Sequence, residues 1–436
     1  PTRTSPVGGA RGLPYAAQPA SPSRVVLLLG VGTAVSLLGD STLYTVLPRP
    51  EIAAQAGVSL AMVGVLLGAN RVVRLLTNGL AGMLYDRLPR RRVLAASLFL
   101  GAISTLIFAI GRGPGPLLFS RLLWGTAWSG IWVGANAAVL DVSSTHNRGR
   151  LSGQYQMWFF LGAGGAALFG GVMTDLLGFH RGLLIGGGLT LLAALLWLLV
   201  LPDLNPAQAE GEGAGALPPA GGDPPEEPFP WRTAIFTAVP MFVTRFVFAG
   251  VITATAILWL TGLVGDGLSL AGKVVPIATL TGAFVAVRAL FGVLGARGAG
   301  HLSDMAGRRW LVAAGVMLAG AAGVVLAAGH NPPAALTGGL VAAIAAGGVQ
   351  ALVPAIAGDR IRARVRGRVL SVVYTLGDLG SALGPPLALG LIEWLPAAAA
   401  PVATIYRLCA LLLVLTVVFA LWRSLAERQG GGGAPR

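Results

Sequence analysis

Seven ionisable side chains stand where apolar sequence surrounds them: Asp40, Arg71, Arg74, Arg121, Arg245, Arg288 and Asp378. A charge held in hydrocarbon is costly, so such residues mark ion or substrate paths and proton relays by default. A carboxylate there can take and release a proton; a guanidinium can hold an anion through charge-assisted bonds. Their polar neighbours share helical faces. Thr33, Ser36, Asp40 and Tyr44 recur every three or four residues, as do Arg71, Arg74 and Asn78, and Ser371, Tyr374 or Thr375, and Asp378. Each set is a polar stripe that faces a water-filled cavity or another helix, and buried structural ion pairs would give the same pattern. Trp124, Trp128 and Trp132 recur every four residues. Such a wall either stacks a flat, lipophilic or cationic ligand or packs helices together.

The elements that position these residues are written in the composition. Hydrophobic residues make up 55% of the 436-residue chain and charged residues only 11%, far from soluble usage. Twelve apolar runs of about 20 residues or more can each cross the hydrocarbon core as a helix, so the expectation is an all-α membrane protein. A formal charge of +14 raises nucleic acid as a partner, but the placement of the charges argues against it. With the N-terminus in the cytoplasm and the spans alternating, 21 of the 31 lysines and arginines fall in cytoplasmic segments, as the positive-inside rule requires. The single cysteine, Cys409, excludes an internal disulfide, and the four histidines have no metal-ligand spacing. Trp197, Trp231, Trp259, Trp310, Trp394 and Trp422 fall near span ends, where an aromatic belt is expected.

The chain is also a tandem repeat. Gly82-Met83-Leu84-Tyr85-Asp86, followed by Arg87, Arg90, Arg91 and Arg92, returns as Gly300-His301-Leu302-Ser303-Asp304, followed by Arg308 and Arg309. The same offset carries Asp141 onto Asp359, Arg148 and Arg150 onto Arg366 and Arg368, and Gly162 onto Gly380. Two pseudo-symmetric six-helix bundles follow, at residues 25–201 and 231–423. Residues 202–230, proline-rich and acidic without Lys or Arg, read as a flexible cytoplasmic linker; 1–24 and 424–436 read as cytoplasmic tails. The first run is too long for a signal peptide and reads as an uncleaved span.

The loop motif and its copy, with the six-linker-six layout, resemble the major facilitator superfamily of transporters across nearly all of the chain. In that reading Gly82, Asp86, Arg90 and Arg91, with Gly300, Asp304, Arg308 and Arg309, gate the pathway. The glycines admit a neighbouring helix, and the charges latch one conformation. The first copy ends Pro89-Arg90-Arg91 where the family has Gly before the basic pair. Gly153, Gly162, Gly170 and Gly171 resemble the glycine pattern of the superfamily's antiporters, with Ala166-Ala167 in place of Gly-Pro; Gly380 and Gly384-Pro385 stand at the equivalent place in the second half. Arg121-Leu122-Leu123-Trp124-Gly125 resembles a family signature whose arginine is tied to proton transfer, with Trp124 where the family has Gln; a snorkelling Arg121 is the alternative.

The resemblance implies that spans one, four, seven and ten line the cavity while two and eleven meet where the halves abut. Asp40, Asp378 and Arg121 are then the expected proton-coupling residues. Tyr44, Arg71, Arg74, Trp124, Trp128, Arg245 and Arg288 are the expected substrate contacts, and Arg71 or Arg74 pairs with Asp378 across the seam. No nucleophile-base or metal constellation speaks for an enzyme, and nothing supplies the selectivity ring of a channel. The expectation is an inner-membrane, proton-coupled exporter of drugs or hydrophobic metabolites; five membrane arginines against two carboxylates leave an organic-anion transporter as the alternative. The expected partners are a small-molecule substrate, protons and the lipid bilayer, acting on a monomer with no cofactor, and not nucleic acid.

Overall fold

The computed structural model describes residues 21–143, 147–202, 230–270, 272–360 and 363–430. Residues 1–20 and 431–436 of the tails and nearly all of the 202–230 linker lie outside the described residues, as do the side chains of Asp86, Arg148, Asp359, Arg366 and Arg368. Apolar runs in lipid must satisfy every backbone group internally, so they fold as helices. In chain order these are α1 (Pro22–Val46), α2 (Pro50–Gln55), α3 (Leu60–Arg87), α4 (Arg90–Ile110), α5 (Pro114–Asp141), α6 (Arg148–Leu177) and α7 (Phe179–Val200). They continue as α8 (Trp231–Val264), α9 (Ile277–Ala306), α10 (Arg309–Ala327), α11 (Pro332–Arg360), α12 (Ala363–Trp394) and α13 (Pro401–Gly430). Ten of them are long and apolar enough to cross a membrane. With the short α2 set aside, twelve long helices occupy the twelve apolar runs, and this is a multi-pass helical membrane protein. The last helix runs on through Gly430 rather than stopping at 423.

Boundaries follow local chemistry. Proline at the first helical positions starts α1 and α5, where its missing N–H costs nothing. Ser59 accepts from the Met62 N–H at 3.2 Å and caps α3. Two small elements fall between apolar runs and were too short to read: α2, and a hairpin of β1 (Gly267–Leu270) with β2 (Lys273–Pro276), in which Leu268 faces Val275.

The repeat governs the packing. In the first six long helices α3 packs on α5, α4 on α5 and α7, and α1 on α6; in the second six α9 packs on α11, α10 on α11 and α13, and α8 on α12. Two extensive contacts join the sets, α3 with α12 and α6 with α9, beside smaller ones of α1 with α8 and α9, and the pseudo-twofold exchanges the two extensive ones. The 218-residue offset holds here side chain by side chain. A Cβ on Gly64 would lie 2.6 Å from Pro386 Cα, and one on its counterpart Gly282 would lie 2.4 Å from the Ala167 carbonyl oxygen. Gly68 meets Ala382 on one seam, and Gly164 meets Ala286 on the other. Without a hydrophobic drive between helices in lipid, such backbone contact is what van der Waals packing has to use.

The seams are tight only at one end. At the arginine-rich end, nothing among the described residues lies within 4 Å of a Cβ built on Gly79, Gly82, Gly153, Gly298 or Gly300. Gly82 and Gly300 were expected to seat a neighbouring helix; in this conformation the described parts of the halves stand apart there.

Candidate functional site

Three helices from the first bundle place one ion pair. Arg121 of α5 donates through Nη2 to the Asp40 carboxylate of α1 at 2.6 Å and through Nε to the Leu66 carbonyl of α3 at 3.1 Å. Its side chain is 2% exposed and that of Asp40 16%, so the arginine is inside the bundle and the acid looks out of it. Arg121 therefore does not snorkel to the headgroups. Asn70 adds a third contact, its side-chain amide donating to Asp40 Oδ1 at 3.2 Å. Beside them the Tyr44 hydroxyl donates to the Leu67 carbonyl.

A second cluster straddles the α3–α12 seam. Arg74 reaches Asp378 at 3.0 Å, and Arg245 of α8 reaches the same carboxylate oxygen at 3.5 Å. Among the described residues Arg71 has no carboxylate partner. It donates to the Ser381 carbonyl at 2.6 Å and to the Ala249 carbonyl at 3.2 Å, with its guanidinium 4.9 Å from the Tyr44 ring centre. The reason lies four residues along: Pro385 has no N–H to give the carbonyl of Ser381, and Arg71 supplies the missing donor from the other bundle. Ala249 sits in the π-helical turn Arg245–Ile252 of α8, a local widening that is common at functional sites. Tyr44, one helical turn beyond Asp40 on α1 and covered by the Arg71 guanidinium, stands between the two clusters.

Below Asp378 the α3–α12 seam opens into a cavity of about 320 Å³ lined by Leu75, Asn78, Gly79, Ser371, Tyr374, Thr375 and Asp378. The two polar stripes read from the sequence thus face each other across water-accessible space. The α1 stripe divides: Thr33 pairs with the Tyr155 hydroxyl at 3.1 Å inside the first bundle, while Asp40 and Tyr44 reach the charge network.

Other expected contacts fall elsewhere. Trp124 and Trp128 are 2% and 7% exposed, stacked 6.1 Å apart in the core of the first bundle, where Trp124 covers Gly101. Helix packing occupies these rings, and in this conformation neither borders the cavity. Arg288 of α9 is 8% exposed, with its guanidinium 5.9 Å from the Phe284 ring. Among the described residues no carboxylate pairs with it, and its Nε has no hydrogen-bond partner. At the arginine-rich end Arg90 pairs with Asp141 at 2.7 Å, Arg91 donates to the Leu201 carbonyl at 3.4 Å, and Arg309 lies 3.6 Å from Asp304. Arg308 is exposed. Of the six belt tryptophans, Trp231, Trp394 and Trp422 are exposed, but Trp197, Trp259 and Trp310 are buried; Trp197 and Trp259 donate to the Leu28 and Ala327 carbonyls.

Comparison with known proteins agrees with this architecture. The sequence profile of the Major Facilitator Superfamily matches residues 29–299 and 278–436. Among curated proteins, the chain is 24% identical over 191 residues to the quinolone resistance protein NorA of Staphylococcus aureus, covering 43% of this chain and 45% of that one. It is 27% identical over 172 residues to multidrug resistance protein 1 of Bacillus subtilis, covering 38% and 42%. The matches thus span less than half of these relatives. Among solved structures, a bacterial homologue of the human lysosomal transporter Spinster, in an inward-facing and occupied conformation, superposes with TM-score 0.73 at 19% identity over 94% of this chain and 98% of that one. The nucleoside transporter NupG superposes with TM-score 0.69 at 14% identity over 93% and 98%.

Proposed function

Because this chain belongs to the major facilitator superfamily of membrane transporters, we propose that it is a proton-coupled exporter of drugs or small hydrophobic metabolites. The two bundles, residues 25–201 and 231–423, rock about the seams around a midplane site. The positive-inside rule puts the arginine-rich end and both termini in the cytoplasm of the cell that carries it, so the parted seam faces inward. The relatives named for quinolone and multidrug resistance support efflux.

One observation carries the coupling: the Asp40–Arg121 pair, buried on the arginine side and open on the acid side. When Asp40 takes a proton it can no longer hold Arg121 as an ion, and Arg121 is left with the Leu66 carbonyl. Asn70 and Tyr44 lie between this event and Arg71, which grips the second bundle through Ser381. In this reading protonation of Asp40 is felt on α12 through the neighbouring Tyr44 ring that Arg71 covers, which is the linkage an antiporter needs. Asp378, between Arg74 and Arg245, is the second proton-coupling candidate. In proteoliposomes, Asp40→Asn should still exchange labelled substrate across the membrane but fail to concentrate it against a proton gradient. Undiminished uphill transport by that variant sinks the reading.

Arg288 favours a second reading. A buried guanidinium without a carboxylate, beside an aromatic ring, is the partner an organic anion requires. If small carboxylates, and not lipophilic cations, accelerate exchange, and Arg288→Ala abolishes that acceleration, the substrate is anionic.

A further inference from the structure

Two carboxylates outside the charge network cross between the bundles at the end opposite the arginines. Asp175, near the end of α6, accepts from both the Thr279 N–H at 2.7 Å and the Thr279 hydroxyl at 2.6 Å, at the start of α9. Glu393, near the end of α12, accepts from the Ala61 N–H at the start of α3. Asp175 and Glu393 stand 218 residues apart, and so do Ala61 and Thr279. The same contact has been made twice, once by each bundle on the other.

We propose that Asp175 and Glu393 are a matched pair of locks that hold the outer gate shut. Each places a negative charge on the unpaired N–H groups and positive dipole end of a helix that belongs to the opposite bundle. Each lies just beyond the tight seam contacts: Gly171 against Ala278 and Gly282 against Ala167 for Asp175, and Gly64 against Pro385 and Pro386 for Glu393. Outward opening must separate α6 from α9 and α3 from α12, and so must break both locks. Closure at the arginine-rich end leaves these contacts to be replaced by water. The locks are unequal. Asp175 makes two hydrogen bonds and is half-buried, whereas Glu393 makes one and is exposed, so Asp175 holds more firmly. The inference rests on alternating access alone and goes beyond the proposed substrate and coupling ion.

Spin-label distances test it without substrate or gradient. In full-length protein carrying Cys409→Ala, labels at Gln55→Cys and Ala397→Cys report the outer gate, and labels at Leu88→Cys and Met305→Cys report the inner one. The parent should show a short outer and a long inner distance. Asp175→Ala with Glu393→Ala should lengthen the outer and shorten the inner, raising the outward-open to inward-open ratio about tenfold, the summed size of two N-terminal charge contacts. Asp175→Ala alone should give most of that shift. Unchanged distance distributions in the double variant overturn the proposal. If the double variant fails to fold, Glu393→Ala, at an exposed site, and Thr279→Val, which removes one donor, must each move the outer distance the same way. No movement in both is equally fatal. Because neither readout involves transport, a failed lock and a failed proton-coupling reading give different results.

Discussion

The outer part of the seams and the charge network below it obey different rules. Above Asp378 the repeat is kept contact by contact: Gly64 and Gly282, Gly68 with Ala382 and Ala286 with Gly164, Asp175 and Glu393. At the level of the charges it is abandoned. On the same offset Arg71 corresponds to Ala289, Arg74 to Gly292, Arg288 to Asn70 and Asp378 to Phe160. A gate that must open and close with both bundles moving together gains from symmetry. A site that must hold one substrate and move one proton does not, because a twofold copy of each charge would add a second costly ion in the membrane. On the proposed function, the duplicated residues belong to the motion and the unduplicated ones to the chemistry.

The largest effect should come from the unduplicated side. Arg121→Ala removes the buried half of the Asp40 pair and should cost about 3 kcal/mol, the low end of the penalty for breaking a buried ion pair because Asp40 is partly open, read as thermal unfolding in detergent. Adding Asp40→Asn should return much of that loss, because no charge is then left unpaired. A double variant as unstable as the sum of the singles means the pair is not coupled, and the reading of α1 as the proton carrier weakens with it.

Next comes a test of the symmetry itself. Gly64→Val and Gly282→Val each push side-chain atoms into backbone of the opposite bundle, since even a Cβ would meet atoms at 2.6 and 2.4 Å. Overpacking of this kind costs roughly 1–3 kcal/mol. Both should favour the outward-open form by similar amounts in the same spin-label measurement. A response confined to one position would show that only one seam carries the outer closure.

Arg71→Ala is expected to fall in a similar or slightly lower range. It leaves the Ser381 carbonyl, already without a helical donor because of Pro385, unpaired at the seam, at about 1–3 kcal/mol. Lys at the same place should restore part of the loss, since one ammonium can reach one of the two carbonyls. If Arg71→Ala matches the parent in stability and in outer-gate distance, the clasp from bundle to bundle is not made by this residue.

How much of this was legible in the sequence depends on what kind of signal each feature left. Hydropathy marked all twelve long helices, and the 218-residue repeat marked the two bundles, because both are periodic signals over long stretches; the α3–α12 seam came only from the family resemblance, and the α6–α9 seam was not read. The pairing of charges was half legible. Arg71 and Arg74 are three residues apart on one face, and either was within reach of Asp378; the freed carbonyl under Pro385 draws Arg71 away, a cue present in the sequence four residues from Ser381. The tryptophans misled for a related reason. A repeat of four fixes a shared face of α5 but not which neighbour it meets, and Gly101 offers Trp124 a slot in the bundle core. Asp175 and Glu393 are acids near span ends whose one sequence signal is their 218-residue offset. The hairpin and α2 are too short for any periodicity to show.

The smallest expected effect lies at the outer rim. Arg49 pairs with Glu51 at 2.9 Å and, across the bundles, with Asp266 at 3.1 Å beside the hairpin. It looks like a third lock, yet the Asp266 side chain is 83% exposed and that of Glu51 65%. Water and salt screen such a pair, and fixing two long side chains costs entropy, so Arg49→Ala should change stability by less than about 1 kcal/mol. The outer spin-label distance should stay where the parent has it, at low and at high salt alike. An outer gate that opens in Arg49→Ala as far as in Asp175→Ala would mean that surface charge, and not the capped helix ends duplicated by the repeat, keeps the bundles together.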